Sequence, residues 1–455
     1  MTINILPEEV LLEIFDSYVY LIPRIEAWCT LVHVCRKWRN IVLESPLRLK
    51  LQIRCHPGIP MGEKLDIWPA LPIAVEQYDE DWQPKWGAAN VAAALEQNNR
   101  IFHIGLCGVP TSEMEEILEA MHRPFPVLTG LWLGSDDETA SVDPESFLGG
   151  SAPCLKCLQL ISIPFPRLPK LLLSAAHLTY LQLSDISHSG YISPESMVSC
   201  FFVLTRLQIL VLEFESPESF PIGAHRPPPP PTRTLLPALT QLQFDGVSEY
   251  LEDLVVRIDT PLLDHLTISL FHRFIPDTPQ LAQFINRSPK LKAHNEARVE
   301  FHDINFHLKL GQGSEKGLRI SYEVEDSQVS SVVQACTSFL PQAFSAAVER
   351  LYICDNFACW QGDTQVGNNH WLELLGLFTS VKSLYLCEVI VLRIAPAFQE
   401  IIGERAAGVL PALQTIFLED LSLSGPVQAI GSFVSGRHAS SHPVAISHWE
   451  RKSPD

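Results

Sequence analysis

Some residues in this sequence could bind a metal or support catalysis, but their spacing is incomplete for either. Cys154 and Cys157 form a CxxC, and a structural zinc site would need a second pair of ligands, which the neighbouring sequence does not supply. The glycine-rich stretch 311–317 lacks the Gly-Lys-Ser/Thr of a phosphate-binding loop, and Asp264 beside His265 has no nucleophile pattern nearby. We therefore expect free thiols, a turn and surface residues here, with no metal, no cofactor and no enzymatic activity.

The composition is that of a folded protein too long for one ordinary core. Of 455 residues, 46% are apolar and 19% are charged, so we expect several domains or a repeat array. The formal charge of −19 repels nucleic-acid backbones and anionic membrane surfaces, which leaves basic proteins as the natural partners.

The sequence has neither a membrane span nor a signal peptide pattern, and this indicates the cellular compartment. No apolar stretch reaches the roughly 18 residues of a membrane span. Glu8 and Glu9 stand where a signal peptide would need a basic segment and an apolar run. The 11 cysteines are scattered and odd in number, which suits reduced thiols. We expect a cytoplasmic or nuclear protein that binds neither nucleic acid nor membranes.

The first element is a helix with more apolar surface than it can bury alone. Leu6-Pro7-Glu8-Glu9 is a suitable helix start, because proline tolerates the first turn and the acids lie at the positive end of the dipole. At about 100° per residue, the run from Val10 to Phe15 covers an arc of about 200°. A surface helix needs a stripe of only about 100°. This helix is therefore expected to pack on two sides.

A second helical pattern follows and ends at Ser45-Pro46. Its apolar positions recur at steps of three and four: Leu31, Val34, Cys35, Trp38, Ile41 and Val42. Two helices in so few residues cannot form a core of their own. They are either a cap on the next domain or a docking module for another protein.

The N-terminal residues resemble an F-box. The matching features are Leu6-Pro7, Glu9, the pair Ile14-Phe15 and the closing stretch 34–38, over residues 4 to about 46. Between the helices, residues 18–26 supply a proline but not the acid of the family's Asp-Pro turn. F-boxes bind the Skp-type adaptor of cullin-RING ubiquitin ligases. The resemblance implies an adaptor interface, or the module's own core, built from Leu6, Pro7, Val10, Leu11, Ile14, Phe15, Leu31, Val34, Cys35 and Trp38.

After Pro46 the pattern becomes alternating, with Leu47, Leu49, Leu51 and Ile53 as a first strand. A short motif of three aliphatic anchors then recurs every 23 to 33 residues, the period of irregular leucine-rich repeats. The pattern is looser between residues 290 and 325. The motifs begin at Ile101, Leu128, Leu155, Leu178, Leu207, Leu239, Leu263, Val348, Val381 and Leu413.

These patterns predict an α/β protein that begins with an all-α F-box, residues 1–46. An irregular leucine-rich-repeat-like solenoid with a parallel sheet follows over residues 47–432, and a polar, partly mobile tail over residues 433–455. The order resembles F-box proteins with leucine-rich repeats, and residues 65–77 resemble fungal members. The RPPPPPTR stretch, 226–233, favours a stiff surface loop over a ligand for an aromatic-groove domain.

One position in each repeat strand, between the last two anchors, should face outward. At this position stand Trp132, Gln159, Gln182, Val211, Gln243, Thr267, Tyr352, Tyr385 and Phe417. The last three are aromatic, and each is followed at a fixed offset by an acid: Asp355, Glu388 and Asp420. An aromatic platform with an acidic border suits a basic, partly apolar peptide. The alternative is that the tail or a C-terminal helix covers these rings as core.

We expect a non-enzymatic substrate receptor of a cullin-RING ubiquitin ligase of the SCF type, whose F-box binds a Skp-type adaptor and whose repeats bind a target protein. One alternative is a leucine-rich-repeat scaffold without a ubiquitination role. A hydrolase built on the repeats has no supporting motif. The sequence does not name the target.

Overall fold

The structure is a computed structural model. The chain folds into two compact units, Met1–Ile192 and Ser193–Asp455. The described residues are 6–21, 27–45, 49, 53–55, 71–77, 87–136, 146–165, 168–220, 232–271, 278–292, 294–302, 305–311, 316–323, 329–339, 345–355, 368–401, 408–419, 424–439 and 442–450. The N-terminal part of the predicted polyproline stretch and most of the glycine-rich stretch lie outside these residues, as do Leu47, Leu51 and Asp420.

The first unit begins with three helices, α1 (Glu8–Leu21), α2 (Ala27–Val34) and α3 (Arg36–Glu44). The sequence predicted one helix where α2 and α3 lie. The helix is interrupted at Cys35, which is extended, with φ −161° and ψ 171°, and whose Sγ accepts a hydrogen bond from the Trp38 amide at 3.5 Å. Apolar periodicity did not reveal the break, because the buried residues resume their spacing after a single non-helical residue.

The remainder of the first unit alternates strands with helices. Each strand pairs in parallel with the next, and the repeat anchors on the strands are buried. The strands are β1 (Ile53–Cys55), β2 (Ile73–Glu76), β3 (Ile101–Val109), β4 (Gly130–Ser135), β5 (Cys157–Ile161) and β6 (Tyr180–Ile186). The α-helices between them are α4 (Ala88–Leu95), α5 (Thr111–Ala120) and α6 (Leu168–Leu172).

The second unit continues the same alternation. Its strands are β7 (Ile209–Phe214), β8 (Thr234–Leu235), β9 (Gln241–Gly246), β10 (Ile258–Asp259), β11 (His265–Leu270), β12 (Glu296–Phe301), β13 (Asn305–Leu310), β14 (Gly317–Glu323), β15 (Arg350–Asp355), β16 (Ser383–Leu386), β17 (Thr415–Leu418) and β18 (Ala445–His448). Its α-helices are α7 (Pro194–Phe201), α8 (Ser248–Val255), α9 (Pro279–Arg287), α10 (Val329–Phe339), α11 (Asn368–Gly376), α12 (Glu388–Glu400) and α13 (Ser424–Ala439).

The loose region of the sequence corresponds to a departure from the parallel sheet. In this unit the main sheet has the order β7-β9-β11-β14-β13-β12-β15-β16-β17-β18, and β8 pairs separately with β10. Strand β13 is antiparallel to both β12 and β14. The connections around β13 are only a few residues long, and parallel strands would need a crossover of about a dozen or more. The repeat fold is therefore mostly, but not wholly, parallel.

The segment expected to be a polar tail contributes regular structure instead. Helix α13 runs to Ala439, and β18 adds a parallel strand beside β17. The side chain of Arg437 is fully buried, and its guanidinium donates hydrogen bonds to four main-chain carbonyl oxygens. Those carbonyls belong to Val409, Leu410, Pro411 and Leu413. A polar residue is thus accommodated inside because the loop before β17 supplies its acceptors.

Across the described parts of the chain, no helix combines the length and apolar character that crossing a bilayer requires.

Candidate functional site

The core of the three-helix module is formed by one side of α1 and the facing sides of α2 and α3. Leu11 and Phe15 are fully buried, and Leu31 is 4% exposed. The Phe15 ring lies 4.7 Å from the Trp38 ring, centroid to centroid, and Trp38 is half-buried. Three of the ten residues predicted at the adaptor interface are therefore core residues, which stabilise the module and hold the others in place.

The side of α1 next to this core face is open. Val10 and Ile14, one helical turn apart, are 42% and 41% exposed, and Val34 at the end of α2 is 54% exposed. Pro7 is also exposed, while Leu6 is half-buried and its carbonyl accepts a hydrogen bond from Lys37 Nζ at 3.2 Å.

Cys35, the remaining residue of the ten, is half-buried at the start of α3. The module therefore presents the two apolar surfaces expected from the wide apolar arc, one used in its own packing and one left uncovered by the described residues.

The strand register aligns the positions predicted to face outward, but one of them, Val211, is buried at 4% exposure. In the first unit Trp132 pairs with Gln159, which pairs with Gln182. In the second unit the corresponding positions are Val211, Gln243, Thr267 and, further along that unit's sheet, Tyr352, Tyr385 and Phe417.

The three aromatic residues form a stack that we call the aromatic ladder. The rings of Tyr352 and Tyr385 lie 4.2 Å apart at 10°, and those of Tyr385 and Phe417 lie 4.4 Å apart at 6°. Parallel strands are about 4.8 Å apart, so aromatic residues in register stack on one another's faces. The ring faces are therefore largely occupied, and the ladder is not the open platform that the sequence suggested.

A fourth aromatic residue comes from the supposed tail. Trp449 lies edge-on to Tyr352 and Tyr385, with centroid distances of 5.9 and 5.5 Å, and its Nε1 donates a hydrogen bond to the Leu386 carbonyl at 3.3 Å. All four residues stay half-buried. Burial, and then the nearby Glu296 carboxylate, raise the pKa of Tyr352 to about 12, so its phenol remains protonated. The tail supports the ladder without sealing it as core.

The acidic border expected along the ladder is not formed by the described residues. Asp355 is buried, and its amide donates to Cys387 Sγ at 3.1 Å. Glu388 is exposed at the first turn of α12, with its amide bonded to Glu419 Oε2 at 3.2 Å. Strands β15 and β16 end at or just before these acids, so the alternation that would have placed them beside the rings no longer applies. This corrects the argument for a basic target segment.

Sequence reasoning missed three cations that complete the row between Thr267 and the ladder. Arg319, Lys309 and Arg298 stand in register on β14, β13 and β12, and we call them the basic row. Arg298 pairs with Tyr352 and its Cζ lies 4.9 Å from the centre of that ring. The anchors Leu318 and Ile320 bracket Arg319 and could have revealed it. The other two are apparent only with the antiparallel pairing.

One buried carboxylate lies beside this row. Glu300 accepts a hydrogen bond from Lys309 Nζ at 2.6 Å and lies 3.6 Å from Arg298 Nη1. Burial by itself raises the pKa of Glu300, but Lys309 and Arg298 outweigh that effect and hold the pKa below its usual range. Arg319 is exposed and forms no ion pair with any residue that the structure describes.

Two histidines adjoin the row and add no charge near neutral pH. The His302 and His307 rings lie 4.5 Å apart, and His307 Nδ1 is 2.7 Å from Ser321 Oγ. Burial first, and then His302, Arg319 and Lys309, lower the pKa of His307 to about 4.

The residues first considered for chemistry are separate from one another. Cys154 and Cys157 are half-buried and unbridged. The Asp264 carboxylate lies 3.0 Å from Lys316 Nζ, whereas His265 Nε2 lies 3.0 Å from Thr267 Oγ1. Within the described ranges, no three His, Cys, Asp or Glu side chains are grouped so as to hold a metal ion.

Comparison with known proteins agrees with the helical module. Residues 3–50 match the F-box-like family, which covers the three helices and about a tenth of the chain. A search of curated proteins found no match. Among solved structures, the leucine-rich repeat-containing protein LegL7 from Legionella pneumophila is 15% identical, with a TM-score of 0.27, over 85% of this chain and 98% of that one. The chain carries an F-box-like domain. The α/β region behind it is leucine-rich-repeat-like by its own recurring buried anchors and mostly parallel strands.

Proposed function

We propose that this protein is a non-enzymatic substrate receptor of an SCF-type ubiquitin ligase. Its F-box-like domain recruits a Skp-type adaptor, and its repeats bind the target. The observation that carries the proposal is the apolar side of α1, where Val10 and Ile14 stay exposed while Leu11 and Phe15 fill the core. Such a helix has a second apolar surface for another protein to cover.

The strength of the adaptor contact follows from this division. Side chains already buried in the module gain little on binding, whereas the exposed fractions of Val10, Ile14 and Val34 are still available to be removed from water. Leu6 and Pro7 border the same helix and are also accessible to a partner. Ubiquitin transfer would belong to the other ligase subunits, in the cytoplasm or nucleus.

The test measures adaptor binding to the full chain by calorimetry. A Leu6→Ala/Pro7→Ala variant should bind the adaptor more weakly and keep the thermal unfolding of the repeat region. Leu173→Ala, which removes a 50% exposed leucine outside the F-box, is the matched control and should leave affinity unchanged. Unchanged affinity of the double variant would contradict the interface.

Target turnover separates a ligase receptor from a scaffold. Proteins captured with the full chain should become longer-lived when the double variant replaces it in cells. If captured proteins keep the same half-life while adaptor binding is lost, the chain is a scaffold and the ubiquitin-ligase role is refuted.

A further inference from the structure

We propose that the basic row, Arg319, Lys309 and Arg298, binds an acidic segment of the target protein, with the aromatic ladder packing beside it. The inference rests on the proposed target-binding role and names the chemistry of the target. It reverses the charge expected from the sequence, because Arg298 covers the outer face of the Tyr352 ring. The Glu296 carboxylate near that ring is paired with Arg350.

Within the described ranges, the row has an excess of positive charge. Among the side chains that the structure describes, the three cations have one paired carboxylate, Glu300, so three positive charges less one negative charge leave two. Arg319 is both exposed and without an ion pair among the described residues. An acidic chain would find here a local positive potential in a protein whose net charge is −19.

The nearest other charged pairs are already balanced. Arg350 Nη2 lies 3.3 Å from Glu296 Oε2, and Lys316 Nζ lies 3.0 Å from Asp264 Oδ2. On the far side of β11, Glu213 and Asp245 stand on β7 and β9 and would repel an acidic segment. The favourable strip therefore runs from Arg319 towards the ladder.

Dimensions agree with an extended peptide. Three adjacent strands place Arg319 and Arg298 about 10 Å apart across the sheet, and alternate side chains of an extended segment are about 7 Å apart. Two carboxylates of such a segment can lie along the row at once. Guanidinium groups suit them, because each can donate two parallel hydrogen bonds to one carboxylate.

The aromatic ladder also favours a negatively charged target segment. Because its rings stack face to face, it presents mainly ring edges and phenol hydroxyls, and the edge is the positive part of an aromatic quadrupole. Arg298 already covers the outer face of Tyr352, where a lysine of a basic segment would otherwise bind. Edges and hydroxyls attract an anionic chain and discourage a cationic one.

The experiment uses the full chain and short synthetic peptides of alternating glutamate and tyrosine, with matched glutamine and lysine versions. Fluorescence anisotropy should show binding of the glutamate peptide, at least about tenfold weaker binding of the glutamine peptide, and none of the lysine peptide. Affinity should fall as ionic strength rises from about 0.01 M to about 0.15 M. Equal or tighter binding of the lysine peptide, or no binding of any peptide at about 1 mM, would overturn the proposal.

Substitutions assign the binding to the row. Arg319→Gln should weaken binding of the glutamate peptide by about fivefold and Arg319→Glu by more. Arg319→Lys should lie between Arg319→Gln and the wild type, because lysine keeps the charge but not the two parallel hydrogen bonds. Arg123→Gln, an exposed arginine in the first unit, is the matched control. If Arg319→Gln and Arg123→Gln behave alike, the row is not the site. Adaptor binding, measured on the same variants, should not change, so failure here is distinct from failure of the F-box assignment.

Discussion

A triple variant, Val10→Ala/Ile14→Ala/Val34→Ala, tests how much of the F-box surface is reserved for a partner. Fully burying a valine or isoleucine contributes about 1.5–3 kcal/mol. These side chains are 42%, 41% and 54% exposed, so each has about 1 kcal/mol still to gain from a partner that covers it. An alanine at each position keeps part of this binding free energy. The three substitutions together should therefore weaken binding by about 2 kcal/mol, or about thirtyfold in Kd.

Calorimetry of the full chain with the adaptor measures this directly. Because the three side chains are half-exposed and alanine is a strong helix former, the free energy of unfolding should change by no more than about 0.5 kcal/mol for each substitution. Leu392→Ala, at a 48% exposed position on α12, is the control and should bind the adaptor normally. A triple variant that stays folded and binds like the wild type would refute the division of α1 into a core side and a partner side.

Two further predictions concern the second unit. Arg437→Met should lower the free energy of unfolding by about 2–4 kcal/mol, because the carbonyls of the loop before β17 lose their hydrogen-bond donor while remaining buried. Denaturant unfolding measures this, and equal midpoints for the variant and the wild type would show that water replaces the guanidinium. In the folded protein the pKa of His307 is about 4, whereas in the unfolded chain it is about 6.5. Between these two values the unfolded chain binds a proton that the folded protein does not, so the free energy of unfolding falls as the pH falls from about 6.5 to about 4. Between about pH 7 and pH 5, the free energy of unfolding of His307→Asn should therefore fall by about 1 kcal/mol less than that of the wild type, a figure reduced for the partial exposure of the ring. Urea unfolding at several pH values measures this, and the same pH dependence in both proteins would contradict it.

Local periodicity was enough to predict some features of this protein. The apolar arc of Val10 to Phe15 predicted a helix with a buried and an uncovered side, and the structure has both. The spacing of the anchors around Tyr352, Tyr385 and Phe417 predicted that these residues face outward in one row, and their register agrees. Side-chain direction in a helix or strand is fixed within a few residues, so it can be inferred without knowing the neighbours.

Strand direction, strand order and the residues that cover each surface depend on long-range packing. The antiparallel placement of β13 brings Lys309 between Arg298 and Arg319, although the three are separated in the chain by hairpins. The end of the chain returns to the sheet, so that Trp449 packs on rings far away in sequence. Whether an aromatic face is open, or an acid borders it, depends on such long-range pairing. Composition and periodicity carry no record of that pairing, because every residue keeps its local spacing whichever strand becomes its neighbour.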